Sequence, residues 1–292
     1  MNIKELEREL YSYGIEDARG EAYLIIERLF GVSRASLMLD RERDFSKAEL
    51  DGLLQKRKER IPLQYIFGDW EFMGKKFFVS EDCLIPQPDT EILTEKALEI
   101  LKKWQDVDEN AKCKMQNAKS DTLVADLCTG SGCIGLSLLT HGGADRVMLM
   151  DISEGALNMA RKNACLHGVA DRCDFVLGDI MSDMPKKKYK MIVSNPPYIP
   201  TQDIEGLPEE VKKEPHLALD GGNDGLDLIR FLIGDGLDYL DENGVMLIEF
   251  GYDQGDKMDT LLREKCDTGS IKSYEILRDY GNNPRVAVIY GK

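Results

Sequence analysis

From Leu123 to the C-terminus, short apolar segments alternate with amphipathic ones, and that alternation leaves few folds open. Residues 123–127, 146–150, 174–177, 191–193, 245–250, 274–277 and 286–290 are short, mostly apolar and rich in β-branched or aromatic residues. Near-continuous apolar runs of this length predict strands covered on both faces. Helices are predicted between them near 134–140, 154–167, 226–240 and 254–265. Strand–helix alternation implies an α/β fold with a doubly wound, mostly parallel sheet. Only a Gly-Asn-Asn-Pro link joins the last two strands. A parallel crossover needs about a dozen residues, so the last strand is predicted to run antiparallel.

The chain ahead of this region reads differently. Residues 1–60 are predicted helical, with apolar positions at Ile3, Leu6 and Leu10 and again from Ala22 to Phe30. Ser33 and Ser46 are candidate N-caps, and Glu49 three positions after Ser46 completes a capping-box pattern. Between Ile61 and Val79 the texture turns aromatic and β-branched, with turns at Gly68-Asp69 and Gly74-Lys75, which predicts a β-hairpin linker. A proline-rich lead, Ile85-Pro86-Gln87-Pro88, then opens a helix over 91–104 that Asp89 or Thr90 can cap. Residues 105–121 are polar and are expected to form a loop. The expected organisation is a helical substrate-recognition domain at 1–60, the linker at 61–84, and a larger α/β domain at 85–292.

Composition narrows the function classes. With 38 Lys+Arg against 53 Asp+Glu the net charge is −15, which disfavours a long nucleic acid as partner. No direct nucleic-acid binding is expected. No apolar run reaches the roughly 18 residues of a membrane helix, and the first residues lack an apolar signal core. The seven cysteines are scattered without a CxxC pair, and there are only three histidines. A disulfide framework or zinc site is not expected, and a reducing cytoplasm fits.

The first strand of the α/β region runs into Asp126-Leu127-Cys128-Thr129-Gly130-Ser131-Gly132-Cys133. Glycines here permit a sharp turn and close approach of a ligand, and the following helix aims free N–H groups into the same space. Asp126, Cys128, Thr129, Gly130, Ser131 and Gly132 are therefore candidate cofactor residues. Asp151 stands at the tip of the next strand, 25 positions on, placed to accept both hydroxyl protons of a ribose. Asp179, after the third strand, suits an adenine amine, and Ile180 can cover one face of the base. No P-loop lysine follows the glycines, so phosphates are not the natural ligand. S-adenosylmethionine fits better than ATP; NAD stays open on this loop alone.

Asn195-Pro196-Pro197-Tyr198 decides between them. It follows the apolar run Met191-Ile192-Val193-Ser194. Two prolines fix two φ angles and remove two donors, and each keeps its predecessor out of the helical region. The product is a stiff corner at the carboxyl end of a strand. An amide nitrogen is a weak nucleophile because its lone pair is delocalised into the carbonyl. Asn195 can accept one N–H of such a nitrogen through its side-chain oxygen, the Pro196 carbonyl can accept another, and Tyr198 can pack against the planar group. Asn195, Pro196 and Tyr198 are the expected catalytic residues, with Pro197 beside them in substrate binding; Asn195 also borders the expected cofactor site. No metal is required.

These segments together resemble the release factor glutamine methyltransferases, the PrmC/HemK family. The resemblance spans nearly the whole chain, including Asp151-Ile152-Ser153, Asn195-Pro196-Pro197-Tyr198-Ile199-Pro200, Glu214-Pro215, Gly221-Gly222-Asn223-Asp224-Gly225-Leu226 and Asp279-Tyr280-Gly281 with Arg285. It implies a seven-stranded, S-adenosylmethionine-dependent methyltransferase. It also implies that the substrate is the side-chain amide of the Gln in the Gly-Gly-Gln motif of bacterial class I release factors, presented by the helical module and hairpin. Two positions depart from the family pattern: Cys128 stands where glycine is usual, and Gln87 where arginine is usual. Three alternatives remain at this level. They are methylation of a ribosomal-protein glutamine, methylation of an exocyclic amine in DNA or RNA with a flipped base on Tyr198, and a non-catalytic translation adaptor. The acidic charge disfavours the second; an adaptor would be expected to lose Asp151 or Asn195, and both are present.

Overall fold

A computed structural model describes residues 1–112 and 123–292. The chain divides into two compact units, one of residues 1–68 with 208–213, the other of residues 69–207 with 214–292.

The first unit holds five helices: α1 (Ile3–Ser12), α2 (Ala18–Phe30), α3 (Arg34–Leu39), α4 (Lys47–Lys58) and α5 (Leu63–Phe67). Their apolar faces close over Leu6, Leu10, Ile25, Ile26 and Leu50, all fully buried. Ser33 caps α3 through the Ser36 amide as expected, but the Ser46 hydroxyl makes no capping bond to α4. The capping box lies instead at the start of α1, where Asn2 accepts from the Glu5 amide and Glu5 from the Asn2 amide. Arg57, 1% exposed, is the polar centre of this unit. It grips Glu21 with two bonds of 2.9 Å, donates to the Ile61 carbonyl at 2.6 Å and reaches Glu210 at 3.1 Å. Arg60 also binds Glu210, at 2.6 Å. The two guanidinium groups thereby fasten the 208–213 segment to the helices.

The hairpin is shorter than expected. Residues from Leu63 to Phe67 are helical, because Gly68 at φ +76° closes the turn in the left-handed conformation. The strands are only β1 (Asp69–Phe72) and β2 (Lys75–Phe78), joined through Met73 and Gly74, both at positive φ. Helix α6 (Pro88–Lys112) runs eight residues beyond the predicted 104, so 105–112 is helix rather than loop; the remainder of the expected loop lies outside the described residues.

The seven-stranded sheet has the order β5-β4-β3-β6-β7-β9-β8. Its strands are β3 (Leu123–Leu127), β4 (Arg146–Asp151), β5 (Cys173–Leu177), β6 (Tyr189–Ser194), β7 (Leu240–Glu249), β8 (Ser273–Arg278) and β9 (Pro284–Tyr290). The five from β5 to β7 are parallel; β9 is antiparallel to both neighbours, as expected. Alternate residues feed two cores. Val124, Leu149, Val193 and Leu247 face one side, and Leu127, Met150, Ile192 and Ile248 the other. Coverage of both faces is why these strands read as unbroken apolar runs. The connecting helices are α7 (Cys133–Thr140), α8 (Glu154–Leu166), the short α9 (His216–Leu219), α10 (Asp227–Leu232) and α11 (Gly255–Asp267). The helix predicted over 226–240 breaks at Gly234 into α10 and a 3-10 turn, Asp235–Tyr239. A β-carbon at Gly234 would stand 2.9 Å from the Arg230 carbonyl oxygen, so the break requires glycine.

Candidate active site

Strands β4 and β6 flank β3, and the chain reverses its direction of travel across the sheet between them. The carboxyl ends of β3 and β6 thus border a crevice of the kind open α/β sheets use for ligands. A cavity of about 260 Å³ occupies it. Its walls include Cys128, Thr129, Gly130 and Ser131 from the β3–α7 loop, Asp151 from β4, Asp179 and Ile180 after β5, and Asn195 and Pro197 after β6. Asp126, Gly132, Pro196 and Tyr198 do not line it.

The lining suits an adenosyl sulfonium. Asp151 is held from behind: Gly130 N–H donates to one oxygen and Ser153 N–H to the other, each at 2.9 Å. Burial raises its carboxyl above the usual range. Ser153, not Asp151, caps α8, accepting from the Ala156 amide. The remaining lone pairs of Asp151 are available to vicinal hydroxyls. Asp179 accepts from the Met181 amide through one oxygen at 2.9 Å, leaving the other without a donor among the described residues. Buried Ile180 supplies an apolar wall. Four aspartates, Asp82, Asp151, Asp179 and Asp220, line the cavity, and among the described residues no Lys or Arg does. That donor set attracts a cation and repels phosphates.

The residues off the wall brace it. Asp126 is fully buried; it accepts from the Thr129 hydroxyl at 2.6 Å and the Gly135 amide at 2.9 Å, tying the loop to α7. Gly132, at φ +81°, packs so tightly that a β-carbon would meet Leu136 at 2.9 Å. Cys128 also adopts positive φ, at +57°, so the position that departs from the family's glycine does take the left-handed conformation. That geometry costs a non-glycine residue about 1–2 kcal/mol. Asn163 clamps the loop from behind. Its amide donates to the Ser131 and Phe78 carbonyls at 2.9 Å, and its oxygen accepts from the Phe78 amide at 2.7 Å. Gln87 lines the cavity and donates to the Ile85 carbonyl at 3.1 Å.

At the corner, the Asn195 amide nitrogen donates to the Thr90 hydroxyl at 3.1 Å, which leaves its oxygen as the free end. Among the described residues no donor reaches the Pro196 carbonyl. Tyr198 turns toward the core instead of the cavity. It packs with the cluster behind β6 and β7, and its hydroxyl donates to Glu249 at 3.3 Å. Its carbonyl accepts from Gln254 at 2.9 Å. The expected stacking surface is therefore not on the cavity wall; the ring holds the corner from behind. Gly225, at φ +76°, lies so close that a β-carbon would stand 2.2 Å from the Tyr198 carbonyl oxygen.

Sequence reasoning missed Glu249 and Asn163 and assigned Thr90 only a capping role. A carboxylate inside the otherwise apolar strand 245–250, next in the sheet to the strand that carries Asn195, was the available signal for Glu249.

Burial pushes three carboxyls, Asp126, Glu214 and Glu249, up to about 7. Ordinary carboxyls in an unfolded chain titrate near about 4, so the folded chain binds protons more tightly between roughly pH 4 and 7. The stability this contributes is complete below about pH 4 and is lost as pH rises through about 7. Asp224, which Arg230 holds at about 2, works the other way and loses its contribution only as pH falls below about 4. The melting temperature is therefore expected to rise as pH falls from about 8 to about 5.5. Calorimetry across that interval checks this, and a steady fall instead would contradict the buried carboxyls.

The fold and the site define a methyltransferase. A family model described as "Methyltransferase small domain" matches residues 103–210. The catalytic domain of human METTL16, solved with an RNA hairpin, has the same fold, with a TM-score of 0.55 at 16% identity over 76% of each chain. A second family model, "PrmC N-terminal domain", matches residues 3–68. The release factor glutamine methyltransferase of Moorella thermoacetica is 36% identical over 99% of this chain and 96% of its own. That of Aquifex aeolicus is 33% identical over 99% and 95%. The chain belongs to the release factor glutamine methyltransferase family.

Proposed function

We propose that this chain transfers a methyl group from S-adenosylmethionine to the side-chain amide nitrogen of the Gln in the Gly-Gly-Gln motif of class I release factors. The observation that carries the reading is Asn195, whose amide N–H is taken by Thr90 so that its oxygen is the end left to accept. Bound in the cavity, the donor supplies a sulfonium-activated methyl group. Asp151 would hold the ribose hydroxyls and Asp179 the adenine amine. Asn195 and the Pro196 carbonyl would accept the two N–H groups of the substrate amide, orient its nitrogen and disperse the positive charge that develops there. The nitrogen then gives its surplus proton to water, because a protonated secondary amide is strongly acidic. Tyr198 and Pro197 keep the corner rigid. The helical unit is proposed to recognise the release factor, which implies a cytoplasmic enzyme.

With labelled S-adenosylmethionine, the purified chain is expected to label an intact release factor and not duplex DNA. Label on DNA alone would overturn the substrate, though not the reaction class.

A further inference from the structure

Asn195 is steadied by Thr90, and Thr90 is held by its own neighbours. The Asn195 amide nitrogen donates to the Thr90 hydroxyl at 3.1 Å. Thr90 is buried in the first turn of α6. Its amide donates to the Gln87 carbonyl and its carbonyl accepts from the Thr94 hydroxyl, both at 3.1 Å. The residues on either side of it are acids tied to other elements. Glu91 accepts from the Met73 amide in the hairpin turn at 2.6 Å. Asp89 pairs with Arg285 at 3.2 Å.

Arg285 is a fixed point for that pair. Its buried guanidinium donates to Asp279 at 3.0 Å and to the Phe250 carbonyl at 3.3 Å. Asp279 in turn accepts from the Asn283 amide at 2.8 Å. The side chain thus joins the end of β7, the β8–β9 turn and the start of α6, and neither Arg285 nor Asp89 lines the cavity. Consecutive residues of one helical turn move together, so the pair that places Asp89 also places Thr90. A shift of about 1 Å in Thr90 would stretch its bond to Asn195 past hydrogen-bond reach and free the amide to turn. We propose that Asp89 and Arg285 are positioning residues for methyl transfer, which hold Thr90 where it orients the Asn195 amide. The assignment rests on the reading of Asn195 as the acceptor for a substrate –NH2 group.

The Asp89 side chain is 40% exposed, so its variants are expected to keep the fold. In Asp89→Ala, kcat for a release factor is expected to fall roughly tenfold, while donor affinity by calorimetry stays within about threefold. Asp89→Asn keeps an oxygen for Arg285 and should remain within about threefold of wild-type kcat. Thr90→Val removes the hydroxyl itself and should cost roughly 10–100-fold. If Asp89 acts through Thr90, the double variant Asp89→Ala/Thr90→Val is no slower than Thr90→Val alone. In the free protein, the Asn195 side-chain –NH2 resonances should shift in Asp89→Ala and stay near their wild-type positions in Asp89→Asn.

Unmoved resonances in Asp89→Ala would overturn the assignment. So would losses that simply multiply in the double variant, because Asp89 would then act independently of Thr90. An Asn variant as slow as the Ala variant would assign the effect to charge and not to position, and would also overturn it. If Asp89→Ala does not fold, Arg285→Lys, which loses the guanidinium fork, decides through the same resonances. If the wild-type chain labels no release factor, the substrate reading fails, while the resonances still report whether Asp89 and Arg285 hold the Asn195 amide.

Discussion

Replacing Asn195 with alanine is expected to lower kcat roughly 10²–10³-fold while S-adenosylmethionine binds nearly as before. The amide oxygen is one of two acceptors proposed to hold the substrate –NH2. The Pro196 carbonyl is fixed by the backbone and survives the substitution. Losing one of two acceptors leaves the nitrogen able to swing out of line with the methyl group. It also removes a preorganised dipole from the place where charge develops, and so acts mainly on the transition state. The donor's proposed contacts lie elsewhere, on Asp151 and Asp179 at the tips of other strands. Steady-state kinetics together with calorimetric titration of the donor separate the two effects. Turnover within a few-fold of wild type would remove Asn195 from the chemistry.

Arg57→Met is expected to destabilise the helical unit by about 3–5 kcal/mol. Burial pushes Glu21 above the usual carboxylate range even with Arg57 pulling it down. Without the guanidinium, Glu21 is left half-enclosed with no partner of opposite charge from Arg57, and the Ile61 carbonyl loses its donor. Burial also lifts Glu210, but Arg60 and Arg57 outweigh it and hold that carboxyl low. The substitution therefore also weakens the attachment of the 208–213 segment. Chemical denaturation of the full chain measures the loss. The double variant Glu21→Gln/Arg57→Met should recover part of it, since the uncompensated charge goes with the partner. A loss below about 1 kcal/mol would mean that these bonds are no stronger than surface ion pairs.

The sheet could be read directly because each of its central strands is covered on both faces and so is written as a continuous apolar run. Leu63–Phe67 was misread for a related reason. A short aromatic run carries no period that separates strand from helix, and Gly68 settled it through its left-handed turn. The break at Gly234 was hidden because the apolar pattern continues through it. At the site, Asp151, Asp179 and Asn195 were legible because a polar residue at the tip of an apolar strand is placed by the strand itself. Side-chain direction was not legible. Asp126 ends inside the core bracing a loop, and Tyr198 faces Glu249 and not the cavity. The bond from Asn195 to Thr90 and that from Tyr198 to Glu249 each join distant parts of the chain, and only the folded sheet brings them together.

The most direct measurement is to incubate the purified chain with labelled S-adenosylmethionine and an intact class I release factor, then locate the label by peptide mass spectrometry. The account predicts one methyl group on the side-chain nitrogen of the Gly-Gly-Gln glutamine, and none when that glutamine is replaced by alanine. Label on any other residue, or label that persists after the replacement, would contradict it.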